Sequence, residues 1–213
     1  MRNSRQREAI FYALAAVGLW STVASAFKIS LRYLSPESLL FYAALSSLTL
    51  FGWLLWRQGR FDEVWELFRR YPGRILLLGT INPFIYYLTL FHAYDLLPAQ
   101  EAQAINYSWG VLLALLSVPI LGQKLRRRDL LAGVLCYAGV LVIATRGDLL
   151  SLHFHSLSGV LYALASTLLW ALYWLYNTRI KAEPLPLLFL NFLVGTLLLS
   201  FYLFVFKDGV EIP

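Results

Sequence analysis

The residues of this chain that could do chemistry lie inside long stretches without a single charged side chain. Read at helical spacing, they fall into four groups. The first is Trp20, Ser21 and Thr22, with Gly18, Ser25 and Lys28 on the same stripe. The second is Asn82 and Tyr86, beside Pro83. The third is Gln103, Asn106 and Tyr107, followed by Gly110, Ala114 and Ser117. The fourth is Trp170, Tyr173 and Asn177, with Ser166 and Trp174. Amides need several hydrogen-bond partners, so Gln103 and Asn106 on one face suit a cavity better than close packing. Trp20, Tyr86 and Trp170 sit deep in their stretches and offer rings for stacking on an aromatic or amphipathic ligand. Gly and Ser on one face equally serve close helix packing.

This is an inventory for binding rather than for catalysis. An enzyme needs a nucleophile, an acid–base pair or a metal within reach of its substrate, and no apolar stretch contains Asp, Glu, Lys or Arg. His92, Asp95 and Glu101 cluster near a loop that lacks Lys and Arg. They are candidates for proton exchange that couples to another process, or they form a solvated rim. His153 and His155 have no third ligand near them in sequence, so no metal is expected. The lone Cys136 cannot form an intramolecular disulfide. No cofactor is expected.

The elements that must position these groups follow from composition. The chain is 59% hydrophobic and only 14% charged, against about 25% charged in a soluble domain, and its mean hydropathy is +0.63. Seven stretches are free of Asp, Glu, Lys and Arg: Ala9–Phe27, Ser38–Trp56, Ile75–Phe91, Ala102–Leu121, Leu130–Thr145, Leu157–Thr178 and Leu187–Phe206. A membrane-spanning helix takes roughly 17–25 apolar residues, and Leu130–Thr145 falls just short of that. The expected fold is an all-α, polytopic membrane bundle with seven spans. Phe61–Arg70 mixes apolar and charged residues and reads as a helix along the membrane surface.

The formal charge of +6 is a topology signal and a source of contacts with membrane lipids, not a nucleic-acid groove. With the N-terminus in the cytoplasm, 14 of the Lys and Arg residues lie inside and 4 outside, which satisfies the positive-inside rule. Residue 213 then lies on the outer side.

Residues 11–20 (FYALAAVGLW) align with residues 161–170 (LYALASTLLW), and Pro36 aligns with Pro186 at the same offset of 150. The reading is a duplication: residues 9–145 form one five-helix unit, and residues 157–206 form the first two helices of a second. Five is odd, so the second copy enters from the opposite side, an inverted repeat of the kind that secondary transporters use. Three further helices would complete it, supplied by the rest of a longer chain or by another polypeptide. The oligomeric state stays open.

Four segments, taken in order, carry a family resemblance: Gly18 to Thr22 (GLWST), Phe91 to Ala99 (FHAYDLLPA), Ile120 to Leu125 (ILGQKL), and the glycine-bearing run from Gly133 to Gly139. Together they resemble the drug/metabolite transporter superfamily, EamA type. Gln123 stands where the family commonly has Glu, and Gly110 where it often has Pro. The resemblance implies ten helices, a plasma-membrane location, and export or exchange of small metabolites without ATP hydrolysis. The expected function is therefore a secondary transporter for amino acids or similar small molecules. The alternative is a lipid-handling or partner-dependent half-unit that does not transport.

Overall fold

The computed structural model describes residues 2–148, 156–207 and 209–211; His153, His155 and residue 213 lie outside these. Described residues form helices α1 (Arg2–Ser30), α2 (Pro36–Gln58), α3 (Phe61–Arg70), α4 (Pro72–Gly79), α5 (Tyr86–Leu96), α6 (Ala99–Tyr107), α7 (Trp109–Leu121), α8 (Arg127–Ala144), α9 (Leu157–Asn177) and α10 (Pro184–Phe206). Local chemistry sets their starts. Ser35 caps α2, its hydroxyl accepting from the Ser38 amide, with Pro36 in the first turn. Ser156 caps α9 by accepting from the Gly159 amide at 3.1 Å. The predicted surface helix is α3, which buries Val64 and Leu67.

Among the described residues, six helical segments are long and apolar enough to cross a membrane: Gln6–Ser30, Pro36–Gln58, Pro72–Leu96, Ala99–Leu121, Leu157–Asn177 and Pro184–Phe206. The seventh stretch forms α8, which opens on Arg127, Arg128 and Asp129. Its uncharged part, Leu130–Ala144, covers about 22 Å at 1.5 Å per residue, short of the ~30 Å of a hydrocarbon core.

Two of the six are interrupted. Between α4 and α5, Thr80–Ile85 forms a wide turn; Asn82 is extended (φ −139°, ψ 118°) and Pro83 follows it. Pro83 has no N–H to donate, so the ladder opens there. Between α6 and α7 the break is a single residue, Ser108, whose buried hydroxyl returns to the Ile105 carbonyl at 2.7 Å.

α9 and α10 are the centre of the bundle. α9 packs on α5, α6 and α7, and α10 packs on α2, α4 and the Thr80–Ile85 turn. The second contact is backbone against backbone. A Cβ on Gly195 would lie 2.6 Å from Pro83 Cδ, and one on Gly79 would lie 2.8 Å from the Asn191 carbonyl. Only glycine lets α10 come this close to the broken helix. Leu40, Phe91, Leu199 and Leu203 close the same seam as one apolar cluster. By contrast, α1 rests on α5 and α6, and α8 on α6 and α7.

Polar cross-links gather at the two ends of the bundle. At one end the Lys28 ammonium donates to the carbonyls of Tyr94, Asp95 and Leu97 at 2.6, 3.0 and 3.0 Å. Here Glu37 also pairs with Lys207 at 3.0 Å and Glu101 with Arg146 at 2.7 Å. At the opposite end Arg74 donates to the Arg179 carbonyl at 3.1 Å, and Arg179 donates to the Ile120 carbonyl at 2.6 Å.

Candidate functional site

Between α1, α5, α6, α7 and α9 lies a cavity of about 730 Å³, within the roughly 300–1,000 Å³ usual for small-molecule sites. Its wall takes Trp20 from α1, Tyr86 from α5, Gln103, Asn106 and Tyr107 from α6, and Trp170 from α9. Among the described residues, no Asp, Glu, Lys, Arg or His contributes to that wall. Trp20 and Trp170, matched by the 150-residue offset, face the same space.

The α1 wall consists of Ala16, Leu19, Trp20, Val23 and Phe27, a stripe at intervals of three and four residues that forms one helical face. Ser21 and Thr22 lie off that stripe and outside the cavity. Their hydroxyls bond back to the carbonyls of Gly18 and Leu19 at 2.7 and 2.8 Å. In a helix such back-bonding satisfies a hydroxyl without any ligand, which makes a Ser/Thr stripe a poor guide to the cavity side.

Trp170 is the centre of the aromatic wall. It stacks on Tyr86 (centroids 4.5 Å apart, planes at 24°) and on Tyr173 (5.5 Å, 20°). Trp109 and Trp174 meet it edge-on at 6.4 and 6.0 Å. Tyr173 is thus behind Trp170 rather than in the wall. Trp20 makes no such sandwich and is 58% exposed.

Asn106 is 6% exposed, and its amide donates to the Ser166 hydroxyl at 2.9 Å. The Tyr86 phenol faces the same side chain. Asn106 is therefore a strut that ties α6 to α9 and sets the Tyr86 ring. The polar groups open to a ligand are those of Gln103 and Tyr107, joined to each other by a 3.0 Å hydrogen bond.

Asn82 lies elsewhere. The break turns it toward α9 and α10, where it sits 4% exposed against the Tyr173 phenol. Asn191 reaches that phenol from α10 at 3.3 Å. The side-chain oxygens of Asn82, Asn177 and Asn191 are buried without a protein partner. Asn177 is likewise outside the cavity wall.

The three coupling candidates also lie away from the wall, at the Lys28 end. His92 stacks on Tyr162 at 5.2 Å and its Nε2 is 3.7 Å from the buried Glu37 carboxylate. Glu101 is buried and paired with Arg146. Asp95 is exposed, and its carbonyl receives Lys28. Glu37 and Lys207 were not singled out from sequence, because the pair joins positions far apart in the chain. Its hydrogen bond to the Glu37 carboxylate raises Lys207 above the ordinary lysine pKa. Among the described residues no three His, Cys, Asp or Glu side chains converge as a metal-binding set.

The Lys28 cap lies beside that end of the cavity. Phe27, the residue before it, packs edge-on against Phe91 at 4.6 Å and Tyr94 at 5.7 Å. Helix C-terminal carbonyls carry partial negative charge, so an ammonium there holds α1 against α5 without a carboxylate.

No curated protein and no solved structure matches the chain. The EamA-like transporter family matches residues 7–145, well over half of the sequence and all of the cavity wall except that supplied by α9. The apolar helices, the break at Pro83 and the charge-free cavity are features of a multi-pass membrane transporter. The chain belongs to the EamA-like transporter family, within the drug/metabolite transporter superfamily.

Proposed function

We propose that this chain forms the cavity-bearing part of a secondary transporter that exports or exchanges small metabolites across the plasma membrane by alternating access. Amino acids and similar compounds with an aromatic or amphipathic body are the substrate class. The observation that carries this reading is the cavity itself, rich in rings and free of charge. The exposed indole of Trp20 offers a face for stacking, Trp170, held between Tyr86 and Tyr173, is the fixed part of the wall, and Gln103 and Tyr107 offer hydrogen bonds to a polar group. In this reading residues 9–145 and 157–206 belong to two inverted repeats, and Trp20 and Trp170 are repeat-related partners across the site. The end that holds Arg74 and Arg179 faces the cytoplasm, as the excess of basic residues there favours. The Lys28 end faces out and is closed.

A second reading, a lipid-handling or partner-dependent module, draws on the bare apolar face of α1, where Ile10, Leu14 and Val17 are 52%, 67% and 65% exposed. Proteoliposomes holding the longest reading frame that contains this chain separate the two. Saturable flux of aromatic or amphipathic small molecules, competed by unlabelled substrate, supports the transporter. Correctly oriented, folded protein without flux supports the module.

A further inference from the structure

A second groove, of about 720 Å³, runs between α7 and α8 and adjoins the central cavity only at Gly110. Small residues open it: Ala114 and Ser117 on α7 and Ala132 and Gly133 on α8 line it, with the Tyr137 ring beside them. The two helices meet closely where Gly133 comes up to Val111, a Cβ there lying 3.1 Å from the Val111 side chain. The body of the groove is apolar. Its mouth, in the turn between the helices, is polar and carries Gln123, Lys124 and Asp129.

The charge at this mouth is one-sided. Lys124 lines it, and Arg126, Arg127 and Arg128 follow beside it in the turn and the start of α8, against one acid. That acid is already engaged, since the Asp129 carboxylate accepts from the Arg126 amide at 2.8 Å. None of the four cations has a carboxylate partner among the described residues. A groove with an apolar body and an unpaired cationic mouth has the polarity of an amphiphile in reverse. Basic pockets between membrane helices at the cytoplasmic level suit anionic headgroups.

The geometry points to a binding site for one anionic phospholipid, with an acyl chain along Ala114, Gly133 and Tyr137 and the headgroup phosphate at Lys124 and Arg126–Arg128. The site would fill the seam of the sparsely packed helix α8 and hold it against α7. The inference does not depend on which substrate the central cavity takes, nor on whether the protein transports.

The test is native mass spectrometry of the full chain in mild detergent, titrated with dioleoyl phosphatidylglycerol or dioleoyl phosphatidylcholine. The expected result is one retained phosphatidylglycerol per chain, favoured over phosphatidylcholine on the order of tenfold, as several Lys/Arg contacts to an anionic headgroup would give. Replacing Lys124, Arg127 and Arg128 together by Gln should bring the two lipids to within about twofold. Ala114→Phe, which fills the groove and leaves the charges, should remove the retained lipid. Equal retention of both lipids by the parent protein would overturn the proposal, and so would undiminished phosphatidylglycerol in Ala114→Phe. Should the charge variant not fold, the lipid comparison on the parent protein still decides. A Val134→Cys probe that forms disulfide-linked dimers in native membranes would put protein, not lipid, in the groove and overturn it as well.

Discussion

The Asn106 amide donates to the Ser166 hydroxyl at 2.9 Å inside the bundle, and this one contact links α6 to α9 at the wall of the central cavity. Ser166 in turn donates to the Ala163 carbonyl at 2.7 Å, so its single proton is used and its oxygen is free to accept.

Asn106→Ala and Ser166→Ala should each destabilise the protein by about 1–2 kcal/mol, and the double variant by less than their sum. Coupling between polar pairs in membrane proteins averages about 0.6 kcal/mol. A double-mutant cycle by reversible unfolding in mixed micelles reads it directly. Coupling indistinguishable from zero would remove Asn106 from its role as a strut.

Gly195→Ala should cost about 1–3 kcal/mol, the usual range for overpacking, since the added carbon would meet Pro83 and the Gly79 carbonyl at 2.6 and 3.1 Å. Gly110→Ala meets nothing within 4 Å and should leave the melting temperature unchanged. Thermal unfolding of the two variants side by side is the check. An equal loss in both would mean that α10 does not depend on its close approach to the broken helix.

Lys28→Met removes the cap on the α5 carbonyls and should loosen α1 at that end of the cavity. With Cys136 replaced by Ala, a Val23→Cys probe, one turn further along the same cavity wall, should react several-fold faster with a membrane-impermeant maleimide once Lys28 is Met. Unchanged labelling would show that the Phe27, Phe91 and Tyr94 cluster closes that end without the ammonium.

The Lys207–Glu37 pair carries a pH signature. Lys207 has a folded-state pKa raised by Glu37, so the stability it contributes is fully present below the ordinary lysine value, about 10.4. It is lost as pH rises through the higher folded value. Lys207→Met should therefore lower the melting temperature at pH 8, and the gap to the parent protein should close toward strongly alkaline pH. A gap that persists unchanged there would assign the effect to packing of the side chain's stem.

Much of this architecture could be read from where charges are missing. The charge-free runs located the long helices, Pro83 marked the interruption in the third, and the mixed segment Phe61–Arg70 became α3 with the same bounds. Trp20, Tyr86, Gln103, Asn106, Tyr107 and Trp170 could be picked because large rings and amides at mid-helix are costly in lipid without a use. Which way a helix turns was harder to read. On α1 the hydroxyls suggested the cavity face, yet Ser21 and Thr22 satisfy themselves on their own backbone and the cavity takes the apolar stripe. Asn82 was grouped with Tyr86 by helical spacing, but the extended backbone at Asn82 breaks that spacing and turns it to α10. Pairs such as Glu101 with Arg146 or Glu37 with Lys207 depend on how distant helices meet, and local sequence holds no record of it.

The most direct test of the cavity's role is substrate counterflow in proteoliposomes, comparing the parent protein with Trp170→Ala and Trp170→Phe at matched reconstitution. Trp170 holds the stack between Tyr86 and Tyr173, so the Ala variant should lose about tenfold or more of the saturable flux of an aromatic substrate, as losing two stacked aromatic contacts would give. The Phe variant, which keeps a ring in place, should retain most of it. Equal flux from all three proteins would contradict the assignment of this cavity as the transport site.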